Sequence, residues 1–189
     1  MNIPAQIIGV IAAACAVMSF QMKSSRRILV VQSIASALWI VHFFLLSAYT
    51  GAYLNIFAVT RNVLYYFLQK KNVKGKIFFS TGMAAVGVAI SLLTYSDLWT
   101  LVPMVATVLQ SYSFSLVNAK HLRIVTLFSS PMWLAYDVRF SSYMGVATEI
   151  FVMISMIVAL IRYRNVDETQ PIKEEENNQK APEKTGKED

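Results

Sequence analysis

Residues 36–57, SALWIVHFFLLSAYTGAYLNIF, and residues 130–151, SPMWLAYDVRFSSYMGVATEIF, read as one passage written twice. At an offset of 94 residues Ser36 falls on Ser130, Trp39 on Trp133 and Ser47 on Ser141. Tyr49 falls on Tyr143, Gly51 on Gly145, and Ile56-Phe57 on Ile150-Phe151. The match reaches back through Val31 and Val125 to Ser19-Phe20 and Ser113-Phe114, and Arg26 meets Lys120. From Ser19 to Phe57 there are 10 identities in 39 ungapped positions. Apolar composition inflates any comparison of hydrophobic segments, but tryptophan does not: the chain has 3, and two coincide here. Each copy carries the pattern Trp-x9-Tyr-x-Gly-x3-polar, the polar residue being Asn55 in the first and Glu149 in the second. Self-similarity at a fixed period marks a duplicated structural unit.

Outward from these passages the chain is a series of apolar runs. A helix needs about 20 mostly apolar residues to cross the hydrocarbon core of a bilayer. Seven stretches qualify: Pro4–Gln21, Ile28–Ser47, Ala52–Gln69, Ile77–Tyr95, Trp99–Val117, Leu122–Val138 and Met144–Tyr163. The sixth is the weakest, since it contains Pro131 and ends near Asp137; bundle neighbours can satisfy the backbone groups that a proline frees. The first run is not expected to be a cleaved signal. Met1–Gln6 has no positive charge and the basic cluster Lys23, Arg26, Arg27 follows the run, the reverse of a signal peptide.

Spans one to three match spans five to seven. Two units of three spans in tandem would point opposite ways, so the fourth span, Ile77–Tyr95, restores a common orientation. The expected fold is all-α and integral to the membrane. It has seven transmembrane helices arranged as two parallel three-helix repeats about an axis along the membrane normal, plus a linker helix. The expected divisions are 1–71, first repeat; 72–97, linker; 98–164, second repeat; and 165–189, a charged cytoplasmic tail. In the linker, Gly82, Ala85, Gly87 and Ala89 are expected to let a neighbouring backbone approach closely.

Composition agrees. The chain is 56% hydrophobic with a mean hydropathy of +0.48 and only 15% charged residues, against about a quarter in soluble domains. Residues 1–164 hold 13 Lys and Arg but only three acids, Asp97, Asp137 and Glu149; the tail holds 4 Lys and 8 acids. The basic residues form short clusters between apolar runs, as in loops flanking membrane spans, and not a patch suited to nucleic acid. With the N-terminus outside, the inner loops and the end of the last span hold 11 basic residues: Lys23, Arg26, Arg27, Lys70, Lys71, Lys74, Lys76, Lys120, Arg123, Arg162 and Arg164. The outer loops hold only Arg139. The positive-inside rule therefore places the tail in the cytoplasm. From Asn165 on, the low apolar content predicts disorder. Cys15 is the single cysteine, which excludes a disulfide framework and a cysteine-based metal site.

Polar residues fall in helical stripes. Gln32, Ser36 and Trp39 share a face of the second span, with His42 a turn further; Thr126, Ser130, Trp133 and Asp137 repeat it on the sixth, with Tyr136 at the His42 position. Asn55 and Asn62 share a face of the third span; Pro103, Thr107, Gln110 and Phe114 share one of the fifth. Stripes on four helices predict a shared midplane cavity at the repeat interface. The alternative is that the hydroxyls and amides only tie helices together.

Glu149 carries the most information. An ionisable group within the membrane is a functional candidate: it would bind a cationic solute or exchange protons, unless it lies high enough to meet outer water. Arg61, six residues from Asn55, is turned about 240° away from it and either binds an anion, pairs elsewhere or snorkels to the cytoplasmic side. His42 is either a proton-sensitive group or a structural hydrogen bonder. There is no phosphate loop, no Gly-x-Ser-x-Gly and no His-Glu metal motif, so no catalysis, metal or cofactor is expected.

The 3+1+3 plan resembles the SWEET/PQ-loop (MtN3-like) transporter superfamily. In its sugar transporters a tryptophan on the second helix of each repeat and an asparagine on the third line the central site. Trp39 and Asn55 match that scheme; Trp133 and Glu149 match it in position, with Glu in place of Asn. More closely, length, helix layout and the basic first loop resemble the YgjV family of bacterial inner-membrane proteins over residues 1–164. The resemblance implies an inner-membrane location. It also implies alternating access to a substrate site of Trp39, Asn55, Trp133 and Glu149 for a small polar solute. Ser36, His42, Arg61, Asn62, Gln110, Ser130 and Tyr136 are secondary candidates. The expected partners are the lipid bilayer, the solute and protons. A non-transporting receptor or assembly protein, and a carrier of an aromatic vitamin precursor, are the competing expectations.

Overall fold

Asn2 opens the first helix by accepting a hydrogen bond from the Ala5 amide, with Pro4 in the first turn where its missing N–H costs nothing. The computed structural model describes residues 2–70 and 76–164. Among these are seven α-helices and no strand: α1 Ile3–Ser19, α2 Ser25–Leu45, α3 Tyr49–Lys70, α4 Lys76–Leu93, α5 Leu101–Ser113, α6 Ala119–Arg139 and α7 Tyr143–Arg162. A 3₁₀ turn, Leu98–Thr100, precedes α5; Asp97 caps it by accepting from the Trp99 amide. The expected tail, the boundary at residue 71 and the lysines at 71 and 74 lie outside the described residues.

Seven helices stand where seven were expected, with shifted ends. α2 and α6 begin three residues early because their first turns run through the basic residues, Ser25-Arg26-Arg27 and Ala119-Lys120-His121, which an apolar count leaves out. Asn118 caps α6 by accepting from the amides of Lys120 and His121. α5 is 13 residues long because the chain turns at Phe114 to reach that cap. Pro131 lies inside α6 without ending it. By apolarity and length alone α2 and α7 are fit to cross a membrane, and α1 and residues Ile77–Leu93 are apolar but shorter. α3 and α6 fall short because they carry arginine, asparagine and aspartate inward.

The two halves keep the 94-residue offset in their backbones. α2 and α6 are both 21 residues long and start and stop at matching positions; α3 and α7 start at matching positions. After α2 and after α6 comes a serine in the left-handed region, Ser47 at φ 57° and Ser141 at φ 52°. Each is followed by the same closing bond, from the Ala48 amide to the Phe43 carbonyl and from the Ser142 amide to the Asp137 carbonyl. This is a Schellman turn made without glycine.

Each helix packs on the next in sequence, and α7 closes back on α1, so the helices form a ring. Its outside is apolar: Ile7, Ile34, Phe67, Phe78, Val105, Phe128 and Ile154, one from each helix, are exposed. Its inside holds His42, Arg61, Asn62, Arg123 and Asp137, all buried. A water-soluble protein has the opposite distribution, and apolar surface on this scale marks contact with lipid or protein.

α4 lies between α3 and α5 on the ring. Gly87 faces Thr107 of α5 so closely that a Cβ would sit 2.7 Å from its methyl group. The expectation fails for the other small residues: Gly82, Ala85 and Ala89 are exposed on the outer face of α4, and nothing lies near the Cβ position of Gly82.

Candidate functional site

The ring encloses a polar cavity between two apolar clusters. One lies at the end bearing Lys23, Arg26, Arg27, Lys120 and Arg162, here the basic end, and includes Phe20, Leu29, Phe114 and Leu122. The other lies at the far end and includes Phe43, Leu54, Trp133 and Tyr136. All four primary candidates, Trp39, Asn55, Trp133 and Glu149, line the cavity, as do Ser36, Arg61, Gln110 and Ser130. No lining residue comes from α4.

Trp39 and Trp133 come from matching turns of α2 and α6, but they do not face each other across open space. Phe43 lies between them, its ring centroid 5.7 Å from Trp39 and 6.3 Å from Trp133. With Tyr136, 6.0 Å from both Trp133 and Phe43, they form an aromatic layer at the far side of the cavity. Asn55 and Glu149 are each the seventh residue of their helix, and so lie at one depth. Asn55 gives its amide to the Gly51 carbonyl at 2.9 Å, which leaves its side-chain oxygen free to accept from a ligand. Glu149 meets the Ser130 hydroxyl, and its partial exposure is on the cavity wall.

Arg61 corrects the helical-wheel argument. Asn55, Ala58 and Arg61 all line the cavity. Steps of three residues turn this stripe by only about 60° each, the ring wall is broad, and the arginine side chain is long. Arg61 does not snorkel: it is 1% exposed, with its guanidinium 5.7 Å from the Phe57 ring centroid and 5.0 Å from that of Phe114. Its Nε and Nη2 reach Asn62 Oδ1 at 3.4 Å each. Its Nη1 has no hydrogen-bond partner.

Three secondary candidates are absent from the cavity lining: His42, Tyr136 and Asn62. Asn62 lies a turn beyond it, against Arg61. His42 is fully buried; its Nδ1 is 2.8 Å from the Ala5 carbonyl and its Nε2 2.8 Å from Ser142 Oγ. A carbonyl only accepts, so Nδ1 carries a proton and donates to Ala5, while Nε2 bonds the Ser142 hydroxyl. Tyr136 Oη accepts from the Gly51 amide at 3.0 Å. These matched positions thus tie the two halves together at the far end. At the basic end Arg123 donates to the Phe20 and Met22 carbonyls, at 3.0 and 2.7 Å, and Gln69 to those of Phe114 and Leu116.

Asp137, absent from the primary candidates, is the residue the sequence reading undervalued. It lines the cavity, is 3% exposed, and its Oδ1 has no hydrogen-bond partner. Ser142 and Gly145 pack against its carboxyl. Its place at the end of the Thr126, Ser130, Trp133 stripe was the available signal.

The cavity measures about 80 Å³. A single water needs about 10–15 Å³ on that scale, so there is room for roughly five to eight waters or a solute of a few heavy atoms. Among the described residues no His, Cys, Asp and Glu grouping fit for a metal occurs.

No curated protein and no solved structure matches the chain. The sequence profile described as Imp-YgjV, bacterial inner membrane protein, matches residues 3–167. That span takes in every helix of the ring and all the cavity residues, and its inner-membrane character accords with the apolar outer surface. The chain belongs to the Imp-YgjV family of bacterial inner membrane proteins.

Proposed function

We propose that this protein carries a small polar solute across the inner membrane by alternating access, and that it is not an enzyme. The observation that carries the reading is the polar cavity at the centre of the ring, to which each half contributes a tryptophan and a hydrogen-bonding residue at matching positions. Binding sites near the midplane, between structural repeats, are the rule in secondary transporters. The coincident helix limits and the paired Ser47 and Ser141 turns support two parallel three-helix repeats, α1–α3 and α5–α7, joined by α4. In that arrangement all seven helices span the bilayer. The bonds of His42 and Tyr136 at one end, and of Arg123 and Gln69 at the other, are the contacts that rocking of one half against the other would break in turn.

The test is thermal stability of the purified protein against sugars, amino acids, cations and nucleosides at two pH values, followed by uptake into proteoliposomes. A ligand at 100 times its Kd stabilises the fold by about 2.7 kcal/mol. Stabilisation by one class, lost in Trp133→Ala and Glu149→Gln, is the expected result. Repeating the uptake with and without a pH gradient reads proton coupling. If no solute stabilises the protein and both variants behave like the parent, the reading is wrong.

A further inference from the structure

Buried charges normally find partners: an ion taken out of water without one costs several kcal/mol. Two unsatisfied groups of opposite chemistry open onto the same cavity here. Arg61 keeps its charge in any protein environment, is 1% exposed, and presents Nη1 without a hydrogen-bond partner. Asp137 is 3% exposed, with the Ser142 hydroxyl against its carboxyl and Oδ1 without a hydrogen-bond partner. Among the described residues no ion pair joins Arg61 to Asp137 or to Glu149; the ion pair present is the surface one between Arg139 and Asp97. Two facing aromatic rings offset part of the cost for Arg61, but they cannot accept its free N–H as a carboxylate would.

The groups are separated along the cavity axis. Arg61 lies six residues beyond Asn55 on α3, about 9 Å toward the basic end at 1.5 Å per residue. Glu149 lies at the Asn55 level on α7, and Asp137 nearer the far end of the ring. The cavity thus carries a cation toward the basic end and carboxyls toward the far end, with no ion pair between them among the described residues.

Building on the carrier reading, we infer that the solute is a small zwitterion, its carboxylate taken by Arg61 and its ammonium group by Glu149 and Asp137. Such a molecule supplies both missing partners at once, and arginine is suited to grip a carboxylate. Asn55 and Ser130 would supply further hydrogen bonds. The volume of about 80 Å³ limits the solute to the scale of glycine or β-alanine.

The test uses the full chain in proteoliposomes and in detergent. Uptake and thermal stabilisation are measured with glycine and β-alanine, with acetate and methylammonium as single-charge halves, and with glycerol as a neutral comparator of similar size. At least one zwitterion should act at concentrations about tenfold or more below those of the three comparators. Arg61→Gln and Glu149→Gln should each weaken it by about 10–100-fold, the worth of one charge-assisted hydrogen bond. Glu149→Gln keeps the side chain's shape, so it and the comparators decide the matter if Arg61→Gln fails to fold. If glycerol, acetate or methylammonium acts as strongly as the zwitterions, the inference is overturned and the carrier reading stands. If no solute of any class binds or crosses, both fall.

Discussion

Gly145 shows how tightly one residue can be specified in a chain made mostly of interchangeable apolar ones. A Cβ there would run into the carboxyl of Asp137 and the hydroxyl of Ser142. Both belong to the packed junction of α6 and α7 that also holds His42, and they would have to shift to admit it. Gly145→Ala is expected to destabilise the protein by about 1–3 kcal/mol, the usual cost of overpacking. Gly82 is the control, with open space at its Cβ position; Gly82→Ala removes a mid-helix glycine and should gain about 0.5–1 kcal/mol. Paired thermal melts should therefore shift in opposite directions. A Gly145→Ala protein that melts with the parent would mean that Asp137 is not held as described. Both glycines were visible in the sequence, but only Gly145 had a partner in the duplicated passage, Gly51, to mark it. The same device exposed Trp39, Trp133, Asn55 and Glu149, because rare residues that coincide at one offset outweigh apolar background. Arg61 and Asp137 were less legible. Whether Arg61 reaches the cavity depends on side-chain length and on the curvature of the ring, which a helical wheel does not contain. His42 and Tyr136 looked like ligand groups, yet their partners include the Ala5 carbonyl and the Gly51 amide, backbone atoms that leave no trace in a side-chain pattern.

At the scale of the helix, the apolar runs located every element, and the capping residues corrected their ends. Asn2 and Asn118 open α1 and α6, but an apolar count starts only where charge stops, so it misses the first turn of α6. α4 misled because small residues suit both close packing and an outer face. At the 94-residue offset Pro131 of α6 corresponds to Ala37 of α2. Proline has no N–H to offer the Leu127 carbonyl one turn back, a loss of about 3 kcal/mol in an ordinary helix that neighbouring groups reduce in a membrane bundle. Pro131→Ala is therefore expected to raise the melting temperature, by no more than that energy. A fall instead would show that the freed carbonyl has a partner within the ring that the restored helix bond displaces. Since Pro131 adjoins Ser130 and lies two residues from Trp133, the same variant tests whether the site depends on the helix being weak there.

At the scale of the whole molecule, the clustering of charge was legible in the sequence and the closure of the ring was not. No pattern announced that α7 packs on α1 and completes the ring, because that contact joins the first helix to the last. The charge asymmetry, by contrast, survives folding intact. Lys23, Arg26, Arg27, Lys120, Arg123, Arg162 and Arg164 gather at one end, whereas Arg139 at the far end pairs with Asp97 at 3.6 Å. That pair lies at the surface and contributes at most about 1 kcal/mol to stability, but it neutralises Arg139, the basic residue at its end among the described residues. Translocating a cluster of lysines and arginines is unfavourable, and charges near the span ends set orientation; the basic end should therefore be cytoplasmic. The measurement is cysteine labelling in a Cys15→Ala background. Ser96→Cys, exposed in the turn before α5, should react with a membrane-impermeant maleimide in intact cells. His121→Cys, exposed in the first turn of α6, should react only after the inner membrane is permeabilised. The reverse pattern would overturn the orientation, and labelling of both in intact cells would overturn the spanning ring itself. The expected pattern would put Arg61 on the cytoplasmic side of the cavity and Asp137 on the periplasmic side, so that a zwitterion entering from outside meets the carboxyls first and reaches the arginine last.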